Sequence, residues 1–310
     1  MPTENFSNID PPIFILMGFS GAETTDIWLS HLLSLFYLLS IVGNALILFI
    51  LKTDNQLSEP MHMLLSMLAA TDLGMAFATF PTVIGLFWFG SRRIHLYACL
   101  VQMFLIHWFC SMESAILVAM AFDRYVAICN PLRYASILHP IITKIGLVAL
   151  FRGVSLHIAL PFLINRLPYC NNRALAHVFC YHPDVMKLAC ADTTINNKYG
   201  MVIILIAYPV DSALILLSYI LILKTVCSKA ARDGSLKALN TCVSHLCVVL
   251  LFYIPLVGLT IAHRYGNATP IVLFLMGVVF IVIPPALNPI VYSIKTKKIR
   301  KAIYHRFWNT

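Results

Sequence analysis

The chain has 310 residues, 60% of them hydrophobic and only 11% charged, with a mean hydropathy of +0.83. A soluble domain carries about 25% charged residues, so a water-facing globule is excluded and an integral membrane protein is expected. The net charge of +9 has no soluble basic domain to sit on, which removes nucleic-acid binding and leaves basic loops at a membrane face.

The N-terminal segment, Met1 to Asp26, lacks Lys and Arg and carries Glu4, Asp10, Glu23 and Asp26. It has no basic start and only a short apolar run, Ile13 to Phe19, so it does not read as a cleavable leader. The first spanning helix is expected to act as the targeting signal. Asn5-Phe6-Ser7 is a glycosylation acceptor. A second triplet, Asn267-Ala268-Thr269, lies close to the membrane, precedes Pro270 and is discounted.

A spanning helix needs about 20 apolar residues. Seven stretches qualify, at 27–51, 60–86, 98–128, 140–165, 199–225, 238–262 and 270–293. Prolines inside them are tolerated because neighbouring groups satisfy the freed carbonyls. The fold class is therefore an all-α, seven-transmembrane bundle forming one domain. Residues 1–26 are outside, 27–293 form the bundle and 294–310 are a cytoplasmic tail. The tail holds six Lys and Arg residues, against none before residue 27, which places the N-terminus outside and the C-terminus inside. The loop from Arg166 to Lys198 carries four more, so the bias is clear at the ends and weak in the loops. Ile299, Ile303 and Phe307 repeat at i, i+4 and i+8 among the tail's basic residues. That pattern predicts a short amphipathic helix on membrane lipid.

Of nine cysteines, Cys99 lies at the outer end of the third span and Cys170, Cys180 and Cys190 in the long outer loop. Those four face an oxidising compartment, so two disulfides are expected. Cys110, Cys129, Cys227, Cys242 and Cys247 are expected as free thiols, and none has metal-site spacing.

An ionisable group at the centre of the bilayer costs roughly 2.5–3.5 kcal/mol, so each one needs a reason. Asp123 and Arg124 stand side by side, followed by Tyr125, where the third span ends. Asp72 and Glu113, with Asn44 and Asn288, suggest either a sodium site or a protonated, hydrogen-bonded network. Arg264 closes the sixth span with Thr260 one turn away on the same face. It is either an exposed arginine or a cation over a cavity, able to hold a carboxylate bidentately. His107 faces either a ligand region or a satisfied core, and Ser111 shares its face at i+4. Phe104, Ile203 and Leu256 are candidate cavity walls; Asp211 and His157 read as structural partners. No enzyme is indicated: His-Glu-x-x-His, a Gly-rich phosphate loop and Gly-x-Ser-x-Gly are all absent. The carboxylate pair has no nucleophile or metal beside it.

Seven spans with Asp123-Arg124-Tyr125 resemble a rhodopsin-like G-protein-coupled receptor. Gly43-Asn44, Leu68-Ala-Ala-Thr-Asp72 and Asn288-Pro289-Ile-Val-Tyr292 match that family's landmarks, while Phe252-Tyr-Ile-Pro255 replaces its Trp-containing motif. Met120-Ala-Phe-Asp-Arg-Tyr-Val-Ala-Ile-Cys129, Pro60-Met-His62, Lys237-Ala-Leu-Asn-Thr-Cys-Val-Ser-His245 and Pro285-Ala-Leu-Asn-Pro289 resemble the odorant-receptor signatures. His62 departs from the family's usual tyrosine. Phe122, the Leu68–Asp72 run and Cys180-Tyr-His-Pro-Asp-Val-Met-Lys-Leu-Ala-Cys190 are similar to the fish-like class I branch.

The resemblance implies a plasma-membrane receptor for a small, oxygenated or carboxylic-acid odorant. It implies coupling to a stimulatory olfactory-type heterotrimeric G protein that raises cyclic AMP. Asp123, Arg124, Tyr125, Tyr219, Asn288, Pro289 and Tyr292 would carry activation, with Asp123 and Arg124 as a latch. The resemblance favours sodium at Asp72, which Glu113 as a second acid would bind more tightly, Arg264 as the acid's anchor, and the pairings Cys99-Cys180 and Cys170-Cys190. No organic cofactor is implied. One alternative is a receptor of the same family sensing a metabolite outside the nose. Another is a transporter or channel, which would show inverted repeats between its halves; none is visible.

Overall fold

The computed structural model describes residues 12–17, 23–54, 59–170, 173–228, 232–265, 269–295 and 297–308. Among these, seven helical spans are long and apolar enough to cross a bilayer. The first three are α1 (Glu23–Thr53), α2 (Pro60–Phe89) and α3 (Leu96–Cys129). The fourth is divided into α4 (Tyr134–His157) and α5 (Ala159–Asn165). After a short loop helix, α6 (His182–Lys187), come α7 (Thr194–Ser228), α8 (Arg232–Tyr265) and α9 (Pro270–Lys295). A last helix, α10 (Lys297–Trp308), follows the seventh span. Helices close their backbone hydrogen bonds internally, which hydrocarbon requires.

The sequence explains several boundaries. Pro60 and Pro270 open α2 and α9, where a missing N–H has no intrahelical partner to lose. α2 stops at Gly90, whose φ of 63° suits glycine and whose N–H bonds the Gly85 carbonyl. The fourth span reaches further back than the expected 140 and breaks after His157. Pro161 supplies the cause, because proline has no N–H for the carbonyl four residues earlier.

α3 is the axis of the bundle. Over its most apolar window 56% of residues are buried, against 28% in the fourth and fifth spans. Leu35, Leu38, Phe151, Leu205 and Leu216 are more than half exposed, which suits a lipid solvent and not water. α1 meets α9 closely at Gly43, where a Cβ would stand 2.9 Å from the Pro289 ring; small residues allow such approach in membranes. In α10, Ile299 is buried and Ile303 half-buried, while Lys298, Arg300, Lys301 and Arg306 are exposed. Lys298 pairs with Glu59 at the foot of α2, and the Arg306 guanidinium lies 5.5 Å from the Phe49 ring.

At the end of the bundle where α1 begins, termed the outer end, lies a three-stranded sheet that was not expected from the sequence. β1 (Ile13–Leu16) lies between β2 (Arg93–His95), antiparallel, and β3 (Ala174–Leu175), parallel. Its register pairs Phe14 with Ile94 and Leu16 with Leu175. Phe14 and Leu16 are buried while Ile15 is exposed, the alternation of a strand with one covered face. The short apolar run before the first span is thus a strap over the outer loops.

Candidate functional site

Polar side chains gather at three levels along α3. At the outer level, Cys99 of α3 bonds Cys180 of the long loop, with Cα atoms 5.4 Å apart. Cys170 and Cys190 close the loop on itself, Cα to Cα 5.9 Å. Gln102 reinforces the first link. Its amide donates to the Ala78 carbonyl and the Thr82 hydroxyl and accepts the N–H of Cys180. The residues that follow Cys180 are therefore held over the bundle. Beneath them lies a cavity of about 40 Å³, lined by His107, His157, Tyr181, His182, Tyr208 and Thr260 with apolar neighbours. The His107 ring stands 5.8 Å from both His157 and Tyr181, centroid to centroid.

The loop is also tied to the outer end of α8. Nε2 of His177 lies 2.5 Å from Nε2 of His263, one imidazole donating to the other, and Lys187 Nζ donates to the His263 carbonyl. Burial holds the His177 imidazole down at about 3, with His263 and Lys187 adding to the effect. Burial pushes the Asp184 carboxyl up to about 6, opposed by the Ala176 N–H that it accepts.

At the middle level, Asp72, Glu113 and Asn288 are at most 3% exposed. Asn288 Nδ2 donates to both Asp72 oxygens, at 3.2 and 3.1 Å, and to Glu113 at 3.4 Å. Its own Oδ1 has no hydrogen-bond partner, nor has Ser111 Oγ. Such a set of buried acceptors calls for a cation or an added proton. Among the described residues, no three His, Cys, Asp or Glu side chains assemble as a transition-metal site. One layer away, Arg152 of α4 meets Asp211 of α7 at 2.6 Å. Ser114 of α3 donates to the same carboxylate oxygen and bonds the Tyr253 hydroxyl of α8 at 2.9 Å. Four helices thus meet on one charge pair, with Asp211 buried and Arg152 half-buried.

At the inner level, Asp123 is fully buried. It lies 3.3 Å from the Arg124 guanidinium and accepts the Tyr134 hydroxyl at 2.7 Å. Tyr219 bonds His245 at 2.6 Å, and Tyr292 points its hydroxyl at Met120 Sδ, 3.7 Å away.

Residues 33–310 match the family model described as "Olfactory receptor". The chain belongs to the olfactory receptor family. It is 52% identical to human Olfactory receptor 51G2 over 305 residues, 98% of this chain and 97% of that one. It is 47% identical to human Olfactory receptor 51L1 over the same number of residues, with the same shares covered. Mouse Olfactory receptor 51E2 is 47% identical over 302 residues, 97% of this chain and 94% of that one. The crystal structure of squid rhodopsin superposes with a TM-score of 0.74, covering 93% of this chain and 82% of that chain at 18% identity. That likeness speaks for the fold alone. An olfactory receptor of this kind is a multi-pass membrane protein and not an enzyme.

The receptor's structure sorts the residues that the sequence singled out. His107 and Thr260 line the outer cavity, as do Ile203, Leu256 and His157. Ser111 does not; one helical turn, about 6 Å of rise over four residues, carries it below the cavity floor, where it is 1% exposed. Phe104 stacks on Trp108 instead of lining the cavity. Asn44 does not join the carboxylates: its amide donates to the Ser40 and Pro285 carbonyls, which fastens α1 to α9. In this conformation Tyr219 bonds His245 and Tyr292 lies against Met120 Sδ. Tyr125 is half-buried beside Phe122, and Pro289 packs on Gly43. Arg264 stands in the last turn of α8, with its side chain outside the described residues, as Asn5 is altogether.

Tyr181, His182, Arg152, Tyr134 and His245 were missed. For the first two a signal existed: a residue next to a cysteine tied to α3 must lie over the bundle. For the other three, periodicity cannot say which neighbour a polar side chain faces.

Proposed function

We propose that the receptor binds a small oxygenated or carboxylic-acid odorant in the outer cavity and activates a stimulatory olfactory-type G protein, raising cyclic AMP. The N-terminus and the long loop then face outside at the plasma membrane. The observation that supports this most is the cavity beneath the disulfide-held loop, where His107, His182 and Thr260 supply the polar lining. Its 40 Å³ accommodates about three water-sized spheres, which suits the head group of a small ligand. Arg264 follows Thr260 by four residues in α8, and a guanidinium is the group that holds a carboxylate bidentately.

Arg264→Ala is expected to lower the potency of a straight-chain acid roughly 10- to 100-fold in a cyclic AMP assay, the value of a charged hydrogen bond. A neutral agonist of similar size should keep its potency. An unchanged curve for the acid would remove the anchor.

Activation runs through the inner pair. Asp123, which accepts the Tyr134 hydroxyl, holds Arg124 at the cytoplasmic edge. A ligand that favours an outward swing of the inner end of α8 frees the arginine for the G protein; equal affinity for both states would shift nothing. Asp72 and Glu113, with the orphan oxygen of Asn288, would hold a sodium ion at the middle level, where it would neutralise the buried carboxylates. Bound there, it would favour the conformation in which Asp123 holds Arg124. Replacing external sodium with choline is therefore expected to raise basal cyclic AMP, and Asp72→Asn should abolish that sensitivity. If Asp72 and Glu113 share a proton instead, the exchange of cations leaves the signal unchanged.

A further inference from the structure

The long loop is fastened to the outer end of α8 by a chain of three groups. Lys187 Nζ lies 3.4 Å from His263 Nδ1 and 3.2 Å from the His263 carbonyl. Nε2 of His263 faces Nε2 of His177 at 2.5 Å. An ammonium only donates, so His263 Nδ1 accepts and its hydrogen sits on Nε2. His177 Nε2 then accepts in turn, and the His177 hydrogen sits on Nδ1. That Nδ1 is buried without a hydrogen-bond partner. It lies against α9, where a Cβ on Gly277 would stand 2.5 Å from it.

Neither imidazole has a lone pair left for another proton. A proton on His177 would set two N–H groups head to head. A proton on His263 would set an N–H against the Lys187 ammonium. Both rings are buried, yet His263 lines a cleft of about 360 Å³ at the outer surface, together with Lys187, Thr193 and Asn197. Water therefore reaches the chain from outside.

The other neighbours leave the charge balance to these three groups. The Tyr181 ring packs on both imidazoles, at 5.6 and 5.1 Å between centroids. Asp184 accepts the N–H groups of Ala176 and His177, so its partners lie in the loop and stay with it when α8 moves. α9 has no titratable residue in its outer half. At the start of α7, Asp192 is engaged by Thr194 on the surface. His107, His157 and His182 line the cavity and not the cleft.

We infer that Lys187, His263 and His177 form a proton-sensitive clasp: acid on the outer side unties the long loop from α8 and loosens the outer cavity between them. The walls concerned are Tyr181 and His182 of the loop and Leu256 and Thr260 of α8. Only the consequence for the odorant rests on the proposed reading of that cavity. Burial holds the His177 imidazole at about 3 while the clasp is closed, whereas a histidine in water titrates near about 6.5. The closed form thus binds fewer protons. Its advantage is complete above about pH 6.5 and is lost as the pH falls toward about 3. Between pH 7.5 and 5.5 the ratio of open to closed clasp is expected to rise about tenfold for each histidine freed.

The test uses the full-length receptor in lipid nanodiscs without ligand. Spin labels on Arg173→Cys in the loop and Ile261→Cys on α8 report their separation, with the exposed Cys227 and Cys247 replaced by serine. A longer distance should grow in at pH 5.5, with the long-to-short ratio up at least tenfold. The double variant His177→Gln, His263→Gln should give one ratio at both pH values. Lys187 is exposed, so Lys187→Met spares the fold. It frees the His263 Nδ1 lone pair for a proton, and the charged imidazole then donates more strongly to His177. The rise with acid should therefore vanish in Lys187→Met although both histidines remain.

A wild-type ratio that does not move with pH would overturn the clasp, as would a full rise in the double variant or in Lys187→Met. In cells, straight-chain alcohols, which stay neutral at both pH values, should lose potency about tenfold at pH 5.5. Labels that separate while alcohol potency holds would leave the clasp standing and overturn the reading of the cavity as the odorant's site.

Discussion

Arg152→Leu is expected to collapse the amount of folded receptor at the cell surface. The substitution leaves the Asp211 carboxylate, 4% exposed, in hydrocarbon with only Ser114 as donor. Removing one partner of a buried ion pair costs about 3–5 kcal/mol, which is a large part of the stability of any domain. Asp211→Leu should be as damaging, because it strands a guanidinium within the membrane. The double variant, with leucine at both positions, should reach the surface better than either single one, since it strands no charge. Surface labelling of the three variants gives the interaction directly. If the double variant is as poor as the sum of the singles predicts, the pair does not act as a unit. The Ser114 and Tyr253 hydroxyls would then be the groups that matter.

The second large effect is expected at the inner level. Asp123→Asn keeps the shape of the side chain and removes the charge 3.3 Å from Arg124. Ligand-independent cyclic AMP should rise about 5- to 150-fold, the range that a coupling of about 1–3 kcal/mol produces. Tyr134→Phe removes one donor to Asp123 and should act in the same direction with a smaller rise. Arg124→Ala should abolish signalling while ligand binding persists. Full-strength coupling by Arg124→Ala would end the latch account. A basal signal unmoved by Asp123→Asn would show that the aspartate does not hold the arginine.

The seven spans were legible because the membrane imposes a simple rule. About 20 apolar residues in a row cross hydrocarbon, and only a helix satisfies the backbone there. The short amphipathic helix after the seventh span was legible from i, i+4 spacing, which one helix face repeats. The strap β1 was not, since four residues of alternating burial make sense only beside β2 and β3, which come about 80 and 160 residues later. The break in the fourth span had its cause in Pro161, but proline within a spanning helix is common enough that its presence alone does not place a break.

The site divides in the same manner. His107 and Thr260 were found because they sit near the outer ends of apolar spans, where a polar side chain is conspicuous. Ser111 followed from face-sharing along a helix, which fixes direction around the axis and says nothing of depth relative to the cavity. Arg152 looked unremarkable among apolar residues until Asp211 of another helix stood 2.6 Å from it.

By itself, the sequence determined that this protein crosses a membrane seven times and that it is an olfactory receptor. Both follow from local properties: apolar length, charge distribution and short runs of residues whose order is preserved along the chain. Only the tertiary structure decided which polar groups meet. It paired Arg152 with Asp211, gave Tyr219 to His245, and set Tyr181 and His182 over the cavity. The physical reason is that a helix's periodicity defines its own faces, whereas the rotation and height of one helix against the next are set by the packing of all seven.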